Sequence, residues 1–219
     1  MKKFGNITVV SDRRNWINEF LPAWLPKLKP LSEDIVWIHD IRDMPSGDIA
    51  FYLGCEQIVS PAVLALHTRN LVVHASNLPQ GKGWSPLTWQ ILEGKSDIPV
   101  CLFEAAERVD SGPIYLKKTL SFRGTELIGE MRRELGRVTF ELCEEFLQRY
   151  PGILDEAVPQ QGEPTFYPRR TPTDSRLNPD LSIREQFRLL RVADNERYPC
   201  YFELDGDTFV VKVEKKKVT

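Results

Sequence analysis

The residues best placed to do chemistry lie where an apolar strand ends in a histidine and opens into a glycine-rich loop. The stretch reads Asn70-Leu71-Val72-Val73-His74-Ala75-Ser76-Asn77-Leu78-Pro79-Gln80-Gly81-Lys82-Gly83-Trp84-Ser85-Pro86. In open α/β sheets, ligands bind in the crevice beyond the carboxyl ends of the strands. An imidazole there can act as a general base or donate a hydrogen bond to developing charge. It can equally be a structural group that caps the strand end. Metal chemistry is not expected, because the other histidines, His39 and His67, are scattered and no C-x-x-C pair occurs. Cys55, Cys101, Cys143 and Cys200 are read as reduced thiols.

The elements that must position His74 follow from the apolar pattern. Short β-branched runs at 7–10, 35–38, 49–53, 71–74, 99–103 and 114–122 predict strands. Between them, 16–28 has helical spacing interrupted by Pro22 and Pro26. Ser60 and Pro61 form a helix start, and 86–92 reads as a helix. This alternation predicts an α/β fold, a mostly parallel sheet with helices on both faces. A long helix over 125–150 carries the stripe Ile128, Met131, Leu135, Val138, Leu142 and Phe146, a face packed on the sheet. Pro151-Gly152 ends it.

Prolines and glycines then punctuate 158–180, which reads as a linker or an ordered surface loop. A small C-terminal region at 181–219 follows, with a helix over 181–192. Its β-hairpin pairs 200–204 with 208–213 around Asp205-Gly206-Asp207. The expected division is a main body at 1–157, the loop at 158–180, and the helix–hairpin region.

Bulk properties narrow the partners. The 219 residues are 42% hydrophobic and 27% charged, enough for a full core without staples. A net charge of -2 gives no reason to expect a nucleic-acid partner, and Lys215, Lys216 and Lys217 read as a solvated end. The apolar run near the start is too short for a signal peptide, and nothing approaches the roughly 20 apolar residues of a membrane span. A cytoplasmic location without membrane contact is expected.

The His74 segment resembles the formyltransferase family, which includes glycinamide ribonucleotide, methionyl-tRNA and sugar-nucleotide N-formyltransferases. That family's pattern is N-x-H-x-S-x-L-P, then a basic residue and Gly, then Pro and a helix containing an aromatic. His74, Ser76, Leu78, Pro79, Lys82, Gly83, Pro86 and Trp89 fall in that order. A second family signature, D-x-G, matches Asp110-Ser111-Gly112, with Asp110 lying 36 residues beyond His74. Asp110 is by itself also readable as a turn residue before Gly112.

The resemblance implies a Rossmann-like formyltransferase fold with 1–157 as the catalytic domain. It also implies 10-formyltetrahydrofolate as formyl donor. His74 and Asp110 would be catalytic: His74 would meet the developing oxyanion or move a proton, and Asp110 would orient the ring. The loop at 53–58, with Leu53, Gly54 and Cys55, would receive the pterin. The loop from Glu104 to Val109, with Gly112, would form the opposite wall, largely through main-chain groups.

One position departs from the family. An Asn usually stands two residues before the histidine, where this chain has Val72. Losing one oxyanion donor typically costs about 100- to 1,000-fold in rate. Asn77 is the candidate replacement, with a turn role as its alternative. Asn70 shares the strand face but lies ~13 Å upstream at ~3.3 Å per residue.

The stretch Phe166-Tyr167-Pro168-Arg169-Arg170 resembles sugar-nucleotide N-formyltransferases, as does Arg197-Tyr198-Pro199. Aromatic and Arg side chains suit a nucleotide by stacking and phosphate pairing. Tyr167, Arg169, Arg170, Lys82 and Trp84 are therefore expected at an acceptor site, though the Arg pair also reads as a solvated loop. The expected acceptor is a UDP-linked 4-amino-4,6-dideoxy sugar, on a route to surface polysaccharide. The hairpin would close over the site or mediate a homodimer. A methionyl-tRNA enzyme would need a larger basic C-terminal domain, and a glycinamide ribonucleotide enzyme would not need the 167–174 stretch. A rival of another class is a folate- or nucleotide-binding protein with impaired catalysis.

Overall fold

Each β-branched run has two apolar faces to bury, which favours pairing in the interior of a single sheet. The computed structural model describes residues 3–216. Its first seven strands are β1 (Phe4–Val10), β2 (Ser32–Ile38), β3 (Gly47–Tyr52), β4 (His67–His74), the two-residue β5 (Lys82–Gly83), β6 (Asp97–Glu104) and β7 (Ile114–Ser121). Six of them form the main sheet in the order β2-β1-β3-β4-β6-β7. β2, β1, β3 and β4 are parallel, and β6 runs antiparallel to both its neighbours. The sheet is mostly parallel, as expected.

The two faces are covered unequally. Ile7, Val9, Ile49, Phe51, Leu71, Val100 and Leu102 belong to the main core. The long helix, residues 128–149, buries Met131, Val138, Leu142 and Phe146 in that core. The expected helix over 16–28 is broken into a 3-10 turn (Trp16–Glu19), the one-turn helix α1 (Leu21–Trp24) and a second 3-10 turn (Leu25–Leu28). Pro22 and Pro26 cause the breaks, since each sits in a first turn where its missing N–H costs nothing. Trp24 stacks on Phe140 with centroids 4.5 Å apart and donates its indole N–H to Glu144 at 2.8 Å.

Among the described residues the opposite face carries no long helix. Val10, Ala50 and Tyr52 lie under a 3-10 turn (Ile41–Asp43) and the one-turn helix α2 (Pro61–Leu64), which Ser60 caps. Beside them, Val72, Cys101, Phe103, Leu78 and Ile114 form a second patch covered by loops. The expectation of helices on both faces therefore holds for full-length helices on one face only. The thin cover on the other leaves the His74 end of β4 open to loops rather than to a packed layer.

The helix α3 (Pro86–Leu92) adds Leu87 and Ile91 to the main core. The long helix, α4 (Ile128–Arg149), starts three residues later than the pattern predicts. Glu126 instead accepts the backbone N–H groups of Arg123 and Gly124, and Glu130 accepts that of Leu127. After α4 come β8 (Phe166–Tyr167), α5 (Ile183–Val192), β9 (Cys200–Leu204) and β10 (Asp207–Val211). β9 and β10 form the expected antiparallel hairpin, packed through Cys200 on Leu177, Leu190 and Ala193.

This region is tied to the body by ion pairs that include Arg191–Glu126 at 2.9 Å and Arg132–Asp194 at 2.7 Å. Lys215, expected to be solvated, pairs with Glu130 at 2.7 Å; Lys217 lies outside the described residues. No helix among the described residues is long and apolar enough to cross a membrane.

Glu126 links this docking to pH. Burial would raise its carboxyl, but the N–H groups of Arg123 and Gly124 and the Arg191 charge outweigh burial and hold it at about 2, against an ordinary 4.5. A depressed carboxylate stabilises the fold fully above its unfolded value and loses that contribution as pH falls. Thermal melts should therefore show the native chain losing stability between pH 4.5 and about 2 more steeply than Glu126→Gln. Parallel curves would remove Glu126 from the acid response.

Candidate active site

Strand alternation places Leu71 and Val73 in the main core and turns Asn70, Val72 and His74 to the thinly covered face. His74, the last residue of β4, is 9% exposed. Its Nε2 lies 2.8 Å from the carbonyl oxygen of Gly81. A carbonyl only accepts, so Nε2 carries the proton and Nδ1 holds the lone pair of the neutral ring. Asp110 reaches the same nitrogen from the loop between β6 and β7, with Oδ2 3.9 Å from Nε2. That carboxylate accepts the backbone N–H of Gly83 at 3.0 Å. The two side chains singled out in the sequence thus meet, at a separation that supports charge electrostatically without a direct hydrogen bond.

The backbone at this meeting point is specialised. Asp110 is left-handed at φ 51°. A Cβ on Gly112 would overlap the Glu104 carbonyl, so the turn that returns Asp110 over the sheet requires glycine there. Gly83 has φ 92°, and a Cβ there would lie 2.6 Å from the Tyr167 carbonyl. The Gly loop is held by the segment that reads as a linker. Gly81 N–H donates to Thr165 Oγ1 at 2.8 Å, Lys82 N–H to the Thr165 carbonyl at 2.9 Å, and Trp84 N–H to the Tyr167 carbonyl at 3.1 Å. Upstream, Val158 exchanges two backbone hydrogen bonds with Ile114 at the start of β7. Residues 158–169 are a strap across both the Gly loop and the Asp110 loop. Thr165 and Gln160, which reach those loops, carry no sequence signal beyond being polar residues in a Pro/Gly-rich stretch.

The expected acceptor residues divide. Trp84 lies under the Arg169 guanidinium, 4.7 Å from the ring centroid, and Arg169 also pairs with Glu56 at 3.3 Å. This bridge joins the 53–58 loop to the Gly loop. Tyr167 stacks on Trp89 and donates its hydroxyl to Glu93 at 2.9 Å. Lys82 is 9% exposed and makes no salt bridge among the described residues. Arg170 does not join Arg169. Neighbours in extended chain face opposite ways, and Arg170 turns inward to the Asp174 carbonyl (3.0 Å) and Ser175 Oγ (3.4 Å). Burial there pushes its guanidinium down from its ordinary value.

Asn77 is likewise not brought to the pair. It is exposed, accepts from Lys117 Nζ at 3.1 Å, and makes no hydrogen bond to His74 or Asp110 among the described residues. Val72 occupies the face expected for the family Asn and packs among apolar groups. Asn70 is committed elsewhere, accepting from Tyr52 Oη at 3.1 Å and donating to the Leu64 carbonyl at 2.8 Å.

Of the expected folate contacts, Leu53 is buried and offers only main chain. Gly54 is left-handed at φ 69° against Asn15. Burial pushes the Cys55 thiol up to about 11, so it is no nucleophile near neutral pH. The Glu104 carboxylate is occupied, accepting from Asn70 N–H and Tyr115 Oη at 2.8 Å each, and burial pushes its carboxyl up. Val109 is 62% exposed.

Comparison with known proteins bears on this arrangement. Residues 38–139, which contain both His74 and Asp110, match the formyl transferase family. That segment is a formyl transferase domain. The chain is 28% identical over 198 residues to a methionyl-tRNA formyltransferase from Thermodesulfovibrio yellowstonii, covering 89% of this chain and 63% of that one. It therefore spans less than two thirds of that relative. HypX from Aquifex aeolicus, solved in complex with tetrahydrofolic acid, shares the fold at TM-score 0.80 and 17% identity, over 97% of this chain and 38% of that one. A sugar N-formyltransferase from Shewanella shares it at TM-score 0.68 and 14% identity, over 98% and 99% of the two chains.

The divergence of the two arginines is testable by thermal denaturation. Arg170→Ala should cost about 1–3 kcal/mol, because it strands buried acceptors. At ~2–4 °C per kcal/mol for a chain this size, the melting temperature falls by several degrees. Arg169→Ala, at an exposed ion pair, should stay within ~0.5 kcal/mol of native. The reverse ranking would overturn the assignment.

Proposed function

We propose that this chain is an N-formyltransferase that moves the formyl group of 10-formyltetrahydrofolate onto an amine. The observation that carries the reading is the approach of Asp110 to His74 across a Gly loop, in a chain of this family. The two loops expected to hold the pterin each present a bare apolar side chain suited to a flat ring, Ile58 at 80% and Val109 at 62% exposure. HypX, of the same fold, is a folate binder by its own structure. The folate supplies an activated formyl carbon.

The residues of this chain do the rest. As the acceptor amine attacks, negative charge gathers on the formyl oxygen and positive charge on the amine. Protonated His74 can give a second N–H, at Nδ1, to the oxygen. Asp110, fixed by Gly83 N–H, supports the imidazolium and offers a carboxylate to relay the amine proton towards the leaving folate nitrogen. Alignment of amine and carbonyl supplies the remaining acceleration.

The acceptor class favoured is a nucleotide-linked amino sugar, with UDP as the first nucleotide to try. Arg169, held over Trp84 beside the Gly loop, offers both a stacking plane and a phosphate partner. Its counter-ion, Glu56, is one that a diphosphate would displace. The sugar N-formyltransferase fold relatives support this acceptor, and the methionyl-tRNA relatives make tRNA the competing one. A second reading, a folate binder with impaired catalysis, is favoured by Val72.

Mass spectrometry separates these readings. A panel of amino-sugar nucleotides and methionyl-tRNA incubated with the formyl donor should show one amino sugar gaining a CO. His74→Ala and Asp110→Ala should each lower that rate about 100-fold or more without loss of fold. Val72→Asn should raise it, by up to roughly 100-fold if the missing donor limits the native chain. Formylation of tRNA alone would overturn the acceptor, and folate binding without transfer to any amine would establish the binding protein.

A further inference from the structure

Asp110 holds a left-handed backbone that non-glycine residues avoid, so neighbouring groups must over-determine it. Within its loop, Ser111 Oγ donates to the Arg108 carbonyl at 2.6 Å, and Gly112 fits against Glu104. From outside the loop, one side chain among the described residues hydrogen-bonds the turn's backbone. Gln160 Nε2 donates to the Asp110 carbonyl at 3.0 Å and to the Gly112 carbonyl at 2.9 Å. The two acceptors fix the orientation of the carboxamide, and its Oε1 is left buried without a partner. Val158, two residues earlier, anchors this part of the strap to Ile114.

We infer that Gln160 is a positioning residue: its carboxamide clamps the Asp110–Gly112 turn and so sets the Asp110 carboxylate against Gly83 and His74. The inference rests on the formyl-transfer reading for its consequence in rate, but not for its geometry. Losing the clamp frees the turn to relax toward ordinary backbone angles. The carboxylate then leaves Gly83 N–H, and His74 loses its partner. Gln160 touches no reacting atom and acts through Asp110 alone.

The test has a structural arm and a kinetic arm. In Gln160→Leu, amide hydrogen exchange at Gly83 should rise roughly tenfold, as in Asp110→Ala. The Lys82 and Trp84 amides, held by Thr165 and Tyr167, should not change. In the kinetic arm, kcat should fall roughly 10- to 100-fold with the KM for the formyl donor unchanged. The double variant with Asp110→Ala should be no slower than Asp110→Ala alone, because the two act as one unit. Gln160→Glu supplies a rescue: its carboxylate cannot donate, but its protonated form can, so its rate relative to native should rise as pH is lowered. Unchanged exchange at Gly83 in Gln160→Leu, or losses that multiply in the double variant, would overturn the inference. The exchange arm reads out whether or not an acceptor turns over, so a native chain that formylates nothing counts against the reaction and not against Gln160.

Discussion

An imidazole on a central strand and a carboxylate on a loop 36 residues away are brought to 3.9 Å, and most of the local structure serves that approach. The direct link between their loops is a single hydrogen bond, Gly83 N–H to the Asp110 carboxylate. Alone, such a bond is worth only about 1.5–3 kcal/mol with a charged acceptor. That is less than the entropy of ordering two glycine-containing loops. The strap at 158–169 makes up the difference, meeting the Asp110 turn through Gln160, the start of β7 through Val158, and the Gly loop through Thr165 and Tyr167. Each of the two loops is thus ordered against a third segment.

The sheet explains why the site lies where it does. Its main-core face is closed by α4 and the broken helical run at 16–28. The other face has a one-turn helix and loops, so its cover can carry polar groups into contact with solvent and substrate. β4 is also where parallel pairing gives way to antiparallel. The loop after β6 therefore leaves near Leu71 and must fold back to bring Asp110 over His74, which accounts for the left-handed Asp110 and the glycine at 112.

Much of this was legible in the residues. The strands and α4 follow from apolar period, and His74 from its position at a strand end. Asp110 stood out only through the family resemblance, because a turn Asp before Gly is common. The strap was not legible. Its composition reads as loop, and its ties are non-local bonds that no local pattern encodes. Arg170 and Asn77 were misplaced for a related reason. In extended or turning chain, side-chain direction depends on partners elsewhere, here Ser175 and the Asp174 carbonyl for one and Lys117 for the other. The unequal cover of the sheet was hidden as well, since Ser60-Pro61 marks where a helix starts and not that it ends after one turn.

His74 and Asp110 should flank the formyl group, and a crystal structure with a hydrolysis-stable 10-formyl folate analogue tests that directly. The formyl oxygen should lie within about 3.2 Å of a His74 ring nitrogen. The pterin should sit between the 53–58 and 104–109 loops. A folate bound with its formyl group away from both side chains would contradict the account.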